Sequence, residues 1–128
     1  MTNDILRATR DIWNQNATFW DERGGADGLP MQRALIAPIT ERLLDLKRDE
    51  RVLEIACGNG AFARRMAALG ARVVACDFAE EFIERAKART TDDAIEFRVI
   101  DATDEAALLA LGAQSFDAAV CTMGLMGR

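Results

Sequence analysis

Residues 51–60 read RVLEIACGNG, an apolar run that carries one carboxylate and ends in a glycine turn. Val52, Leu53 and Ile55 suit a strand buried in a parallel sheet. The alanines and long side chains of the following AFARRMAAL, residues 61–69, suit a helix. Gly58 and Gly60 lie at the join. Without a Cβ they can take positive φ and let a ligand approach backbone N–H groups at the positive end of the next helix. Glu54 is out of character, because a carboxylate in an apolar strand is costly unless it is hydrogen-bonded. It is therefore expected to face a ligand crevice or to bind the neighbouring loop.

The glycines alone are weak evidence, since residues 58–63, GNGAFA, also fit the G-x-G-x-x-G/A turn of dinucleotide-binding folds. A second landmark follows at residues 71–77, ARVVACD, another apolar strand, whose final acid stands nineteen residues after Gly58 (77 minus 58). At that spacing Asp77 can accept hydrogen bonds from both hydroxyls of a ribose. A third acid, Asp101, ends the apolar run of residues 95–100. Three acids at three strand ends suit a ligand with hydroxyls, an exocyclic amine and positive charge, and repel a pyrophosphate.

At this point the chain resembles the class I S-adenosylmethionine-dependent methyltransferases, with VLEIACGNG, VVACDF and VIDATD in the places of three successive family motifs. The resemblance extends to WNQNATFWDERGG, LIAPITERLLDLK and FDAAVCTMGLM, nearly the whole chain. It implies that the backbone around Ala56, Cys57, Gly58, Asn59 and Gly60 holds the methionine part of S-adenosylmethionine, with Glu54 ordering that loop. It further implies that Asp77 binds the ribose diol, that Phe78 lies near the adenine, that Asp101 accepts the adenine amino group, and that the Ala102 N–H meets a ring nitrogen. One departure is Ala56, where many family members carry the first glycine. Read as one added methyl group, it is a mild change.

Each of these residues also has a plainer reading. Glycines after a strand are often only turn residues. Asp77 can cap the helix that follows it, and Asp101 the helix at 104–111, for which Thr103 is the better candidate.

The expected fold is α/β: a Rossmann-like parallel sheet of about four strands with flanking helices, preceded by an N-terminal helical segment. Strands are expected at 51–56, 72–76, 95–100 and 116–121, and helices at 61–69, 79–89 and 104–111. Two domains are read: 1–50 as a helical segment or lid, and 51–128 as a Rossmann-like cofactor-binding domain apparently truncated after its fourth strand. In the N-terminal segment Leu6, Trp13 and Trp20 recur every seven residues, as do Ile5, Ile12 and Phe19. Packing of this stripe on the sheet is favoured over a cofactor-facing lid. Pro38 should kink or restart the second helical region. Residues 23–28, RGGADG, form the only flexible-looking loop, a surface turn more than a hinge.

At 128 residues with 50% hydrophobic content, the chain is long and apolar enough for one real core. A net charge of −5, with the 16 basic residues dispersed among acids, argues against nucleic acid as a partner. No apolar leader or membrane-length stretch is present, so a cytoplasmic location is the default and a membrane partner is not expected. Cys57, Cys76 and Cys121 match no zinc spacing and no metal is expected; their places at strand ends suit small buried residues.

The chain has no histidine and no tyrosine, so any general base is a carboxylate, a lysine or a thiolate. No catalytic residue is nominated. Asp11 and Asp21 qualify only by location, and solvated surface acids are the favoured reading of both. The leading function is methyl transfer from S-adenosylmethionine to a small molecule. The alternatives are an inactive fragment that binds S-adenosylmethionine or S-adenosylhomocysteine, and an NAD-dependent oxidoreductase, which Glu54 and Asp101 oppose. If the chain folds alone, the fourth strand is an open edge that favours a homodimer, poor solubility or a partner supplying the rest. The closing residues 123–128 depart from a clean continuation into a further helix.

Overall fold

The computed structural model describes residues 2–112 and 114–122. The closing residues 123–128 therefore lie outside the described residues. A long helix α1 (Thr2–Gly24) leads into a π-helical turn (Gln32–Ile36) and α2 (Ala37–Leu44). From there strands and helices alternate: β1 (Arg51–Ile55), α3 (Ala61–Ala68), β2 (Arg72–Asp77), α4 (Glu80–Ala88), β3 (Ile95–Val99), α5 (Glu105–Leu109) and β4 (Ala118–Val120). The four strands form one sheet in the order β3-β2-β1-β4, with every neighbouring pair parallel. This is the Rossmann-like arrangement expected from the sequence.

Burial explains the order. In β2 all five residues after Arg72 are buried, so the strand has to lie inside the sheet with both faces covered. Val52, Val73 and Ala75 pack with Ala63 and Met66 of α3, Ile83 of α4 and Ile95 of β3 into the main core. Each large side chain so buried contributes about 1.5–3 kcal/mol. At the far side β4 is short, with Ala119 exposed and Ala118 and Val120 half-buried.

The N-terminal stripe does not pack on the sheet as expected. It packs on α4, where Ala17, Ala79 and Phe82 are buried together with Trp13 and Phe78 alongside, and Trp13 meets Phe82 at 6.2 Å between ring centroids. The two helices run in the same direction and are stitched turn by turn. Asn14 accepts from the Glu81 N–H, Thr18 accepts from Arg85, and Asp21 accepts from Arg89. The second heptad register stays in solvent, since Ile5, Ile12 and Phe19 are all exposed. The heptad pattern carries two stripes, and a single partner helix covers only one.

Pro38 restarts the second helix. It stands in the first turn of α2, directly after the π-helical turn, in which the Ala37 N–H reaches back to the Gln32 carbonyl. Neither expected cap of the short helix acts: Asp104 caps α5 by accepting from the Ala107 N–H. Among the described residues no helix is long and apolar enough to cross a membrane.

Candidate functional site

The carboxyl ends of β1 and β2 open into a cavity of about 480 Å³. Its floor is the turn after β1, with Ala56, Cys57, Gly58 and Asn59, and beside it stand Glu54, Asp77 and Phe78. One wall is the N-terminal segment, which contributes Trp13, Trp20, Asp27, Gly28 and Leu29. Gln32 and Ile36, with Phe62 and Arg65 of α3, complete the lining, and Gln32 Oε1 accepts from the Leu29 N–H at 2.9 Å. Arg65 is held by the Glu41 carboxylate of α2. The position follows the general rule for open α/β sheets, in which ligands lie outside the carboxyl ends of the strands near a reversal in strand order. Here the order reverses between β1 and β4.

Ten residues were expected at a ligand site, and seven line this cavity: Glu54, Ala56, Cys57, Gly58, Asn59, Asp77 and Phe78. Gly60, Asp101 and Ala102 do not. Gly60 is buried with φ 85°, and a Cβ there would come within 2.9 Å of both the Phe97 ring and the Arg64 guanidinium. Its missing side chain makes room for those two side chains. Gly58 is the opposite case, because its φ of 57° needs glycine while a Cβ would meet nothing within 4 Å. Asp101 accepts from the N–H and hydroxyl of Thr103, at 2.9 and 2.6 Å, and closes the turn before α5.

The two acids at the cavity differ. Asp77 accepts from the Gly58 N–H at 3.0 Å and from the Ala79 N–H at 2.9 Å. It therefore ties the glycine turn to the start of α4, a loop-ordering part that the sequence assigned to Glu54. It is not itself the cap of α4, which is Ala79. Glu54 is 2% exposed, and its Oε1 has no hydrogen-bond partner. Burial, together with the neighbouring Asp77 charge, pushes its carboxyl up to about 8. Near neutral pH it holds its proton.

Ala56 is more than an added methyl group. Its φ is 59°, in the left-handed region that costs an L-residue about 1–2 kcal/mol. The expectation of a mild change is corrected: the backbone there keeps the shape that glycine favours.

Cys57 and Cys76 are buried, as expected, and Cys121 is half-buried. Burial pushes the Cys57 thiol well up and the Cys76 thiol to about 11, so neither supplies a thiolate base near neutral pH. No group of metal-ligating side chains occurs among the described residues. Asp21 is also corrected, from a solvated acid to one that is 3% exposed. Its Oδ1 accepts from Arg89 Nε at 2.7 Å and Asn59 Nδ2 at 2.9 Å, and its Oδ2 accepts from Arg89 Nη2 at 3.1 Å. The Arg89 hydrogen bonds, with smaller help from Asn59 and Arg85, hold its carboxyl below the usual value despite burial.

Sequence reasoning missed Asp27, Leu29, Gln32 and Arg65 as cavity residues. The signal for the first two was the glycine loop at 23–28, and nothing in the local sequence marked the others.

A family model described as "Methyltransferase domain" matches residues 52–127. Demethylmenaquinone methyltransferase of Clavibacter sepedonicus is 43% identical over 77 residues, covering 59% of this chain and 30% of that protein. Ubiquinone biosynthesis O-methyltransferase of Xanthomonas axonopodis pv. citri is 38% identical over 108 residues, covering 80% and 42%. Among solved structures, phosphoethanolamine N-methyltransferase 2 of Haemonchus contortus, in complex with phosphomonomethylethanolamine and S-adenosylhomocysteine, superposes with a TM-score of 0.75. That likeness covers 93% of this chain and 30% of the other at 20% identity, and is one of fold. The chain spans less than half the length of the curated relatives it matches.

Proposed function

This chain belongs to the S-adenosylmethionine-dependent methyltransferases, and from that premise we propose that its cavity binds S-adenosylmethionine and serves methyl transfer to a small-molecule acceptor. The observation that carries the proposal is Glu54, a carboxyl group buried at the cavity floor with an oxygen that no protein group satisfies. An unpaired buried acceptor is costly, and a cationic ligand with ammonium donors relieves that cost. The residues present therefore fit the cofactor.

In this reading the turn at Ala56, Cys57, Gly58 and Asn59 receives the methionine end and Glu54 ionises against its ammonium. Asp77 takes the ribose hydroxyls and Phe78 lies along the adenine. S-adenosylmethionine supplies an electrophilic methyl group, which passes to the acceptor nucleophile while sulfur keeps the bonding electrons. The chain contributes position and exclusion of water. Trp13, Trp20 and Leu29 form an apolar cover, and alignment of this kind supplies on the order of 7–11 kcal/mol for well-oriented reactants. Residues 1–50 are thus a cover over the cofactor domain of residues 51–128.

Three free cysteines support a reducing, cytoplasmic location. The edge position of β4 among the described residues supports a homodimer paired along that strand, and light scattering that returns a monomer at working concentration removes this part.

Calorimetry with S-adenosylhomocysteine and NAD tests the cofactor. Binding of the first and not the second is expected, and the reverse overturns the reading. Single-turnover transfer of labelled methyl groups to a metabolite pool then separates an active enzyme from a binding fragment.

A further inference from the structure

The junction of Asp21, Asn59 and Arg89 borders the cavity at Asn59, and the chemistry proposed above gives Asp21 and Arg89 no part. Asn59 sits in the glycine turn and spends its side-chain amide on the N-terminal segment, donating to Asp21 Oδ1 at 2.9 Å and to the Gly25 carbonyl at 2.8 Å. Arg64 adds a second tie, donating to the Asn59 carbonyl at 2.8 Å and to the Ala26 carbonyl at 2.9 Å. Asp21 is in turn gripped by Arg89 at the end of α4, with Arg85 Nη1 at 4.0 Å. One buried carboxylate therefore joins the helix that covers the cavity, the turn that forms its floor and the helix that begins beside Asp77.

We propose that Asp21 and Asn59 are positioning residues that make docking of α1 and binding at the glycine turn a single coupled event. The proposal rests on the cofactor reading of the cavity. A buried charge with fixed donors has one favourable arrangement, because an Asp21 that leaves gives up its bonds to Asn59 and Arg89 together. When the tie is whole, Trp13 and Trp20 stand against the cavity and the Asn59 backbone is held for a ligand. A broken tie frees both the cover and the turn. Asp21 acts only through its neighbours, since it does not itself line the cavity.

The chain reports on this directly. It has two tryptophans and no tyrosine, and both tryptophans are on α1 at the cavity. In the full chain, S-adenosylhomocysteine should change tryptophan emission. Asp21→Asn and Asn59→Ala should each weaken its binding by roughly tenfold, the size of one lost hydrogen bond to a charged group, and abolish the emission change. Because the two act as one link, the double variant should bind no worse than the weaker single one.

Losses that multiply to roughly a hundredfold in the double variant overturn the proposal, as does native affinity in either single variant. Should Asp21→Asn fail to fold, Asn59→Ala decides: weakened binding with loss of the emission change supports the coupling, and weakened binding with the full emission change overturns it. A native chain that does not bind S-adenosylhomocysteine overturns the cofactor reading first and this coupling with it, whereas native binding with unaffected variants removes the coupling alone.

Discussion

The tips of β1 and β2 carry two acids that the sequence presents as equivalents, and the fold treats them in opposite ways. Asp77 ends its strand where two backbone N–H groups converge on it, so its charge is stabilised by the protein itself. Glu54 lies within β1, on the same face as Val52 of the core, with an oxygen left unsatisfied. The first acid builds the site. The second keeps a buried oxygen that no protein group satisfies, which is costly.

That contrast is broken or sharpened first at Glu54. Its folded-state carboxyl is raised to about 8 from 4.5, so the folded state retains a proton that the unfolded state has released. Stability from this group alone should therefore be greatest below about pH 4.5 and fall by about 1.4 kcal/mol per pH unit up to about pH 8. Glu54→Gln should remove that decline and leave the ligand-free domain a few kcal/mol more stable than the native chain at about pH 8. Thermal unfolding across this range decides, and an identical pH slope in both proteins would show that Glu54 is not the buried acid described. The ligand should show the reverse sign: S-adenosylhomocysteine, with its ammonium group, should bind the native chain more tightly as pH rises toward about 8. Glu54→Gln should bind it weakly with a flat profile.

Asp77→Ala should lose about 1.5–3 kcal/mol of ligand affinity. Unlike a residue that touches only ligand, it should also lower stability by about 1–3 kcal/mol, since the N–H groups of Gly58 and Ala79 lose their acceptor. Paired calorimetry and denaturant unfolding check this, and unchanged stability would mean that the two backbone bonds carry no weight.

The glycines give a smaller test of the same division between building and binding. Gly60→Ala should destabilise more than Gly58→Ala, which faces open space and bears only the left-handed cost of about 1–2 kcal/mol. Equal losses in urea unfolding would count against the Phe97 and Arg64 contacts. The smallest effect is expected at Ala56→Gly. Relief of positive φ, offset by glycine's larger entropy in the unfolded chain, should raise stability by about 0.5–1 kcal/mol. A loss there would indicate that the Ala56 methyl group packs.

Much of this architecture was legible because it is local. The strand RVLEI, the glycine turn and the helix after it follow from residue types within one βα unit, and the apolar run before Asp77 announces a second strand. The strand-end position of Gly58 and Asp77 was legible in the same way, and both line the cavity. Gly60 and Asp101 stand outside the cavity lining, one beside a phenylalanine ring and the other bonded to a threonine hydroxyl, and glycines and turn acids look alike in sequence whatever their neighbour is. Asp21 was misjudged for a related reason. Its partners, Asn59 and Arg89, are 38 and 68 residues away, and no local pattern records that they meet.

By itself, then, the sequence determined an α/β chain with a glycine turn and acids at its strand ends, because hydrophobic period, backbone freedom and strand-end position are properties of neighbouring residues. Only the tertiary structure decided what each polar group is for. The use of a buried acid depends on which donors reach it, and most of those donors arrive from other parts of the chain: the Gly58 N–H that joins the local Ala79 N–H at Asp77, an arginine and an asparagine for Asp21, and for one oxygen of Glu54 none.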